Sequence, residues 1–498
     1  MNLTGNCLCN KKIKYLFLFL LNICILNIVF SQESPGLAFG GNDTEYGYSI
    51  CLTSDGGYAM VGSTRSMGGG NDDFYFIKLD STGEVTQEKT YTGSNQNFLR
   101  KIKPFQNGFV IIGDGYDYWP YFHDVFFLRT NEFGNQISSN YFKQNNRDIG
   151  FDILNVDDDN FLILGHSRTA NPRGDISLAK INYDGSELWK KFYWEDYNIY
   201  AFQITRSTDN EGYIMIGSKY GFFNDLHAEF QTHDADYLLI KVDDEGEEIW
   251  RKTYGENQHD FGYSICPAND GGYYLFGASQ SYGSGSFDML LIKVNSEGEE
   301  QWHKSYGGTS FEYGKSIAKT QSGELYLLGS SKSFGIDGSV DIYIVKTDSE
   351  GNELWSETIG GTMNDFGESL VVTPDSGCAI VGSTESFGSG GKDMYFLKLL
   401  SDGTVEVMKG YTPVTNSNTI KVSPNPMVSS SKFNIYNTSV SKVDFILYDL
   451  NGKVVGKKSF SGNTFIVERN SLKSGTYIFN IVSNGNSKLI FTGKLIIK

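Results

Sequence analysis

Seven times in this chain an Asp is followed five residues later by a cation, and then by an acidic, glycine-containing turn. The pairs are Asp73/Lys78, Asp124/Arg129, Asp175/Lys180, Asp236/Lys241, Asp288/Lys293, Asp341/Lys346 and Asp393/Lys398. Successive cations are 51, 51, 61, 52, 53 and 52 residues apart. A unit of that length is one supersecondary element whose apolar faces stay uncovered until it stacks on a copy of itself. Such a repeat absorbs 498 residues without demanding one oversized core. It also separates structure from function. A residue found in every unit serves the fold, and departures from the unit are where a ligand is sought.

The fifth unit is the most regular. Tyr263-Ser-Ile-Cys predicts a short strand, Asn269-Asp-Gly-Gly a turn, and Tyr273 to Ala278 a second strand. A loop, Tyr282-Gly-Ser-Gly-Ser-Phe, precedes a third strand from Asp288 to Val294 that is apolar on both faces. After Asn295-Ser-Glu-Gly comes a fourth strand, Glu300 to Tyr306, carrying Trp302. Four antiparallel strands per unit, with the third covered on both sides, predict an all-β fold: a seven-bladed β-propeller over residues 35–411. Trp189, Trp250, Trp302 and Trp355 recur on the outer strand and are expected to pack one blade on the next. Two segments compete to complete the last blade, Leu37-Ala-Phe-Gly-Gly and Val405 to Tyr411.

Charge divides the chain. The formal net charge is −17, with +8 on residues 419–498 and +3 on the first 32, which leaves −28 on 33–418. So acidic a body repels nucleic acid and anionic membranes. Lys11, Lys12 and Lys14 precede an apolar run from Tyr15 to Phe30, which predicts a secretory signal peptide over residues 1–31 and no membrane span in the mature chain. Cys51, Cys266 and Cys378 remain after it, an odd and scattered set that predicts small buried apolar residues and no disulfide framework.

A polar linker, 412–419, separates the repeats from residues 420–498, whose short alternating strands and Asn451-Gly452 turn predict a small β-sandwich. Ser423-Pro-Asn-Pro, Phe433-Asn-Ile-Tyr, Leu447-Tyr-Asp-Leu-Asn-Gly-Lys-Val-Val, Leu472-Lys-Ser-Gly-Thr-Tyr-Ile-Phe and a terminal Gly493-Lys-Leu-Ile-Ile-Lys follow in order. This module resembles the type A sorting domain of the type IX (Por) secretion system. The resemblance implies a partner, the type IX machinery, and delivery through the outer membrane to the cell surface or the medium. It implies nothing about the ligand of the repeats.

Enzyme signatures are absent: there is no Gly-x-Ser-x-Gly and no nucleotide loop, and the acids are too many to single out a catalytic pair. The catalytic residues are therefore unassigned, and no metal site is assigned. The recurrent Asp is expected to accept backbone N–H groups of its glycine-rich loop. Acidic loops leave calcium as a candidate ligand without a calcium-loop motif to support it. His227 and His233, with Asp225, Glu229 and Asp234, match no zinc spacing. The departures lie in repeats two to four, whose loops between strands two and three, and the connector into repeat four, are long and aromatic. Tyr118, Trp119, Tyr121, Trp194, Tyr220 and Phe222 interleave there with Asp, Asn, Arg and His, as on sugar-binding faces. The expected function is binding of a glycan or another macromolecule by an exported protein. A polysaccharide-acting hydrolase or lyase and a structural surface protein are the alternatives.

Overall fold

The computed structural model describes residues 34–408 and 419–497, except 70, 92–95, 117–123, 143–147, 168–174, 196–197, 221–234, 424–426, 437–441, 450–452, 463 and 484–488. The expected signal peptide and most of the expected linker lie outside the described residues. So do Tyr118, Trp119, Tyr121, Phe222 and the histidines at 227 and 233. The chain divides into two compact units, Met1–Tyr411 and Thr412–Lys498.

Among the described residues, the first unit contains seven four-stranded antiparallel sheets. Repeat five runs Asp260–Pro267, Tyr273–Ser279, Asp288–Val294 and Glu300–Tyr306. Its first strand begins three residues before the expected Tyr263. Third strands are buried at every position in repeats one, five, six and seven, because a neighbouring sheet covers each face. Phe276 and Leu291 of repeat five, for example, share a core with Leu327 and Val345 of repeat six. The first strands touch in succession, and Glu45–Leu52 of repeat one touches Asp365–Val372 of repeat seven.

The recurrent Asp and cation serve opposite ends of the third strand. Asp288 Oδ2 accepts the amides of Ser284 and Gly285, both at 2.9 Å. Asp73, Asp341 and Asp393 accept loop amides in the same way. At the far end, Lys293 Nζ lies 2.8 Å from Asp270 in the turn between strands one and two, and Lys78/Asp55 and Lys398/Asp375 repeat this ion pair at 2.7 Å. The outer tryptophans pack across junctions as expected. Gly246, Gly298, Gly351 and Gly403 have φ between 73° and 83° in the next repeat's tight turn, and a Cβ on them would meet Trp189, Trp250, Trp302 and Trp355 at 2.8–3.2 Å. Tyr193, Tyr254 and Tyr306 donate to the carbonyls of the first three of these glycines at 2.6–2.7 Å.

Both candidates for the last outer strand are used, each for half of it. Leu37–Phe39 pairs with Met394–Phe396, while Val405 bridges to Leu399 and the Glu406 amide donates to Lys398 O at 2.7 Å. The three described cysteines are free. Cys51 and Cys378 are buried, and burial pushes their thiols up to about 12.

The second unit has one sheet of three strands and one of four. Phe433 and Phe465 of the smaller sheet stack with centroids 5.2 Å apart, and Phe445 and Phe479 of the larger pack on Phe433 at 5.1 Å each. Two sheets sharing an aromatic core suit a small sandwich.

Candidate functional site

The site is built on the first strand of each repeat, whose residues follow one pattern. An acid or Asn (Ile199 in repeat four) is followed by a bulky residue, a small or apolar one, a variable one, a polar one and then Ile or Leu. The Ile or Leu (Ile50, Ile102, Ile153, Ile204, Ile265, Ile317, Leu370) is buried core. The variable residue is a β-bulge in all seven repeats, because pairing with strand two skips it: Tyr48, Arg100, Phe151, Phe202, Tyr263, Lys315 and Glu368. A bulge leaves one residue outside the ladder and re-aims its side chain. Strand-two glycines make the bulge fit. A Cβ on Gly277 would lie 1.8 Å from the Phe261 carbonyl, and Gly62, Gly217 and Gly382 are equally close to Tyr46, Tyr200 and Phe366.

Six of the seven bulge residues form a chain of contacts along the succession of first strands, and Tyr48 packs instead on Phe98 at 6.5 Å. Arg100 lies 5.8 Å from the Phe151 ring, Phe151 5.2 Å from Phe202, and Phe202 5.1 Å from Tyr263. Lys315 Nζ then lies 4.9 Å from the Tyr263 ring and 3.9 Å from Glu368 Oε2. All seven are partly exposed.

Two residues earlier on each strand is a second ring, a collar of Tyr46, Phe98, Ile149, Tyr200, Phe261, Tyr313 and Phe366. Residues at the roots of the loops between strands two and three join it. His166 stacks on Tyr200 at 4.1 Å, and Tyr220 packs between Tyr200 and Phe261, 5.4 Å from each. Phe287 bridges Phe261 and Tyr313, and Lys392 lies over Tyr46 and Phe366 at 5.5 and 4.6 Å. Burial raises the Tyr220 hydroxyl well above its ordinary value and pushes Tyr313 up to about 12, so these tyrosines are neutral hydrogen-bonding groups at physiological pH.

Of the sequence-predicted residues, Tyr220 therefore belongs to the collar. Trp194 stands on the connector into repeat four, 65% exposed, and its carbonyl accepts from Arg251 at 3.4 Å. Glu195 beside it ties the connector to Lys219, Tyr220's neighbour, at 2.6 Å. The four remaining predicted residues lie outside the described residues. The first-strand residues of the collar went unpredicted, although a bulky residue recurs at that position in every repeat.

Acids at the junctions are a different matter. Glu45, Asp260 and Glu312 open first strands and accept amides or hydroxyls of the flanking loops. Each faces the recurrent Asp of the previous repeat across a glycine: a Cβ on Gly40 would fall 2.1 Å from Glu45 and 2.2 Å from Asp393, and Gly307 stands likewise between Asp288 and Glu312. Burial, with Glu45 adding to it, pushes Asp393 up to about 7, and burial raises Asp288 and Asp341 too. These pairs are buried and recurrent, so they hold the junctions together and do not face substrate.

Comparison with known proteins bears on the second unit. A 186-residue stretch is 26% identical to the regulatory protein FlaEY of Caulobacter vibrioides, over 32% of this chain and 19% of that one. The chain thus spans about a fifth of that relative. Among solved structures, Sqt1 of Chaetomium thermophilum bound to the N-terminus of ribosomal protein L10 is similar at TM-score 0.42 and 9% identity, over 80% of this chain and 97% of that one. Puromycin hydrolase is similar at TM-score 0.47 and 11% identity, over 78% and 59%. No function passes between chains at these scores. Residues 421–498 match the Secretion system C-terminal sorting domain. With that module the chain is a cargo of the type IX secretion system, exported to the cell surface or the medium.

Proposed function

We propose that residues 34–408 close into a seven-bladed β-propeller and that the exported protein binds a glycan at the axial mouth, on the aromatic collar. The observation that carries this is the collar itself: six aromatic residues and Ile149 at one position of the first strands, two residues before a second ring of chemically varied residues. Aromatic faces stack on the apolar faces of sugars, and neutral tyrosine hydroxyls take hydroxyl groups. The long loops of repeats two to four spring from strand ends beside the collar, at Tyr116, Ser167 and Tyr220. Tyr118, Trp119, Tyr121 and Phe222 on those loops, with Trp194 on the neighbouring connector, extend the same face in this proposal.

The test is a glycan-array screen with the mature chain, followed by titration of the best glycan against Tyr200→Ala and Phe261→Ala. Each lost ring should weaken binding by ~0.5–1.5 kcal/mol beyond lost contact area. Parent-like binding by both variants would place the site elsewhere.

A further inference from the structure

We propose that the ligand of the collar is an acidic polysaccharide, whose carboxylate or sulfate groups are drawn to Arg100, Lys101 and Lys103 on the first strand of repeat two. This ligand class presupposes the collar as the binding site.

The polar residue after the bulge has a structural task in most repeats. Ser49 Oγ accepts the amide of Ile102 in the next first strand at 3.3 Å, and Gln203, Ser264 and Ser316 accept those of Ile265, Ile317 and Leu370 at 2.9–3.3 Å. Repeat two has Lys101 there, and an ammonium group has no lone pair to offer. Repeat three makes up the loss. Asp152 Oδ1 accepts the Ile153 amide at 2.9 Å, while its Oδ2 accepts that of Ile204 at 3.0 Å. The chain thus gives up an acceptor, replaces it, and gains a cation.

That cation lies in poor company for a structural residue. Burial lowers the Lys101 pKa, Asp152 opposes this, and the like charge of Lys103 adds to the lowering. Asp152 is shared, since Lys103 Nζ is 4.0 Å from its Oδ1. Arg100 is held by the fully buried Asp114, and its own side chain stays 28% exposed. Across the collar, Lys315 and Lys392 each face one carboxylate, Glu368 at 3.9 Å and Glu385 at 3.2 Å. Five cations therefore meet four carboxylates, within a body of net charge −28. The net negative charge of the body disfavours an anionic polymer, and this local excess of one cation would favour docking and orienting it here.

The experiment measures binding of the mature full-length protein to polygalacturonate (carboxylates), dextran sulfate (sulfates) and neutral dextran, at low and high salt. The parent should prefer at least one charged polymer, with affinity falling as salt rises. Lys101→Ser restores the residue of repeats one, five, six and seven. It should melt no lower than the parent and lose about tenfold in affinity for the charged polymer, the usual worth of one charged hydrogen bond. Dependence on only one charged polymer identifies the recognised group and supports the proposal. Equal affinity for neutral and charged polymers overturns it, as does parent-like charged-polymer binding by Lys101→Ser. A lower melting point with unchanged affinity makes Lys101 structural and overturns it too. Failure of all three polymers to bind, together with silent Tyr200→Ala and Phe261→Ala variants on the glycan array, overturns the collar itself.

Discussion

Repeats five to seven and repeats two to four share strands, turns and junctions, yet they spend the same positions differently. After the bulge, the later repeats carry Ser264, Ser316 and Ser369, while the earlier ones carry Lys101, Asp152 and Gln203. The residue before the collar is Asp260, Glu312 and Asp365 in the later repeats, whereas it is Asn97 in repeat two and Ile199 in repeat four. The regular half shows what the fold needs; the irregular half shows what it tolerates once a neighbour compensates, as Asp152 does for Lys101. Deviation matched by compensation marks a position held for something other than stability.

The sharpest way to break this comparison is at the strand-two glycine. A Cβ on Gly277 would enter the Phe261 carbonyl at 1.8 Å, but one on Gly165 would stop 2.5 Å from the Ile149 carbonyl. Gly277→Ala should cost about 3 kcal/mol and Gly165→Ala clearly less, measured by denaturant unfolding. Equal costs would mean that repeats three and five are built to one tolerance at this glycine.

The junction acids come next. Asp288→Ala removes two amide contacts and should cost ~1–2 kcal/mol, and Asp288→Asn less, because Asn still accepts and no longer opposes Glu312. The same pairs set a pH dependence. Asp393 titrates near 3.8 when unfolded and at about 7 when folded, so the folded state holds the proton between those values. Its contribution is full below about 4 and gone above about 7, so stability falls as pH rises through that window. The hydrogen bond from Lys78 holds Asp55 at about 2, and its contribution is lost only in stronger acid. The melting temperature should be higher at pH 5 than at pH 8, and Asp393→Asn should flatten the difference. A higher value at pH 8 in the parent would refute the raised Asp393 pKa as the source of the pH dependence.

The smallest effects belong to exposed rings. Trp194→Ala and Phe334→Ala remove side chains 65% and 44% exposed and should shift stability by no more than about 0.5 kcal/mol. Only the first should weaken glycan binding; a loss confined to Phe334→Ala would move the ligand to the regular half.

The period, the Asp/cation pair and the outer tryptophans were legible in the sequence because each recurs at fixed spacing and acts within one junction. The bulge was not, since one extra residue on one strand leaves the apolar pattern almost intact while turning a side chain out of the ladder. Lys101 was equally hidden. Its meaning rests on an amide in repeat three, some fifty residues away, which no local pattern connects to it. Of the predicted loop residues, Tyr220 could be placed on the collar because it ends a strand. Strand ends inherit their position from the sheet.

The divided outer strand of the seventh sheet has a consequence in time. Leu37–Phe39 finds its partner only when Met394–Phe396 exists, and Val405 supplies the other half of the same edge. Every other sheet closes on partners within its own repeat, so this pairing spans the longest loop and has the greatest closure entropy to overcome. Until it forms, the third strand of the last repeat presents an open edge. The first unit therefore behaves as a clasp: six sheets can assemble locally, and the last step completes the seventh by joining the two ends of the band to each other.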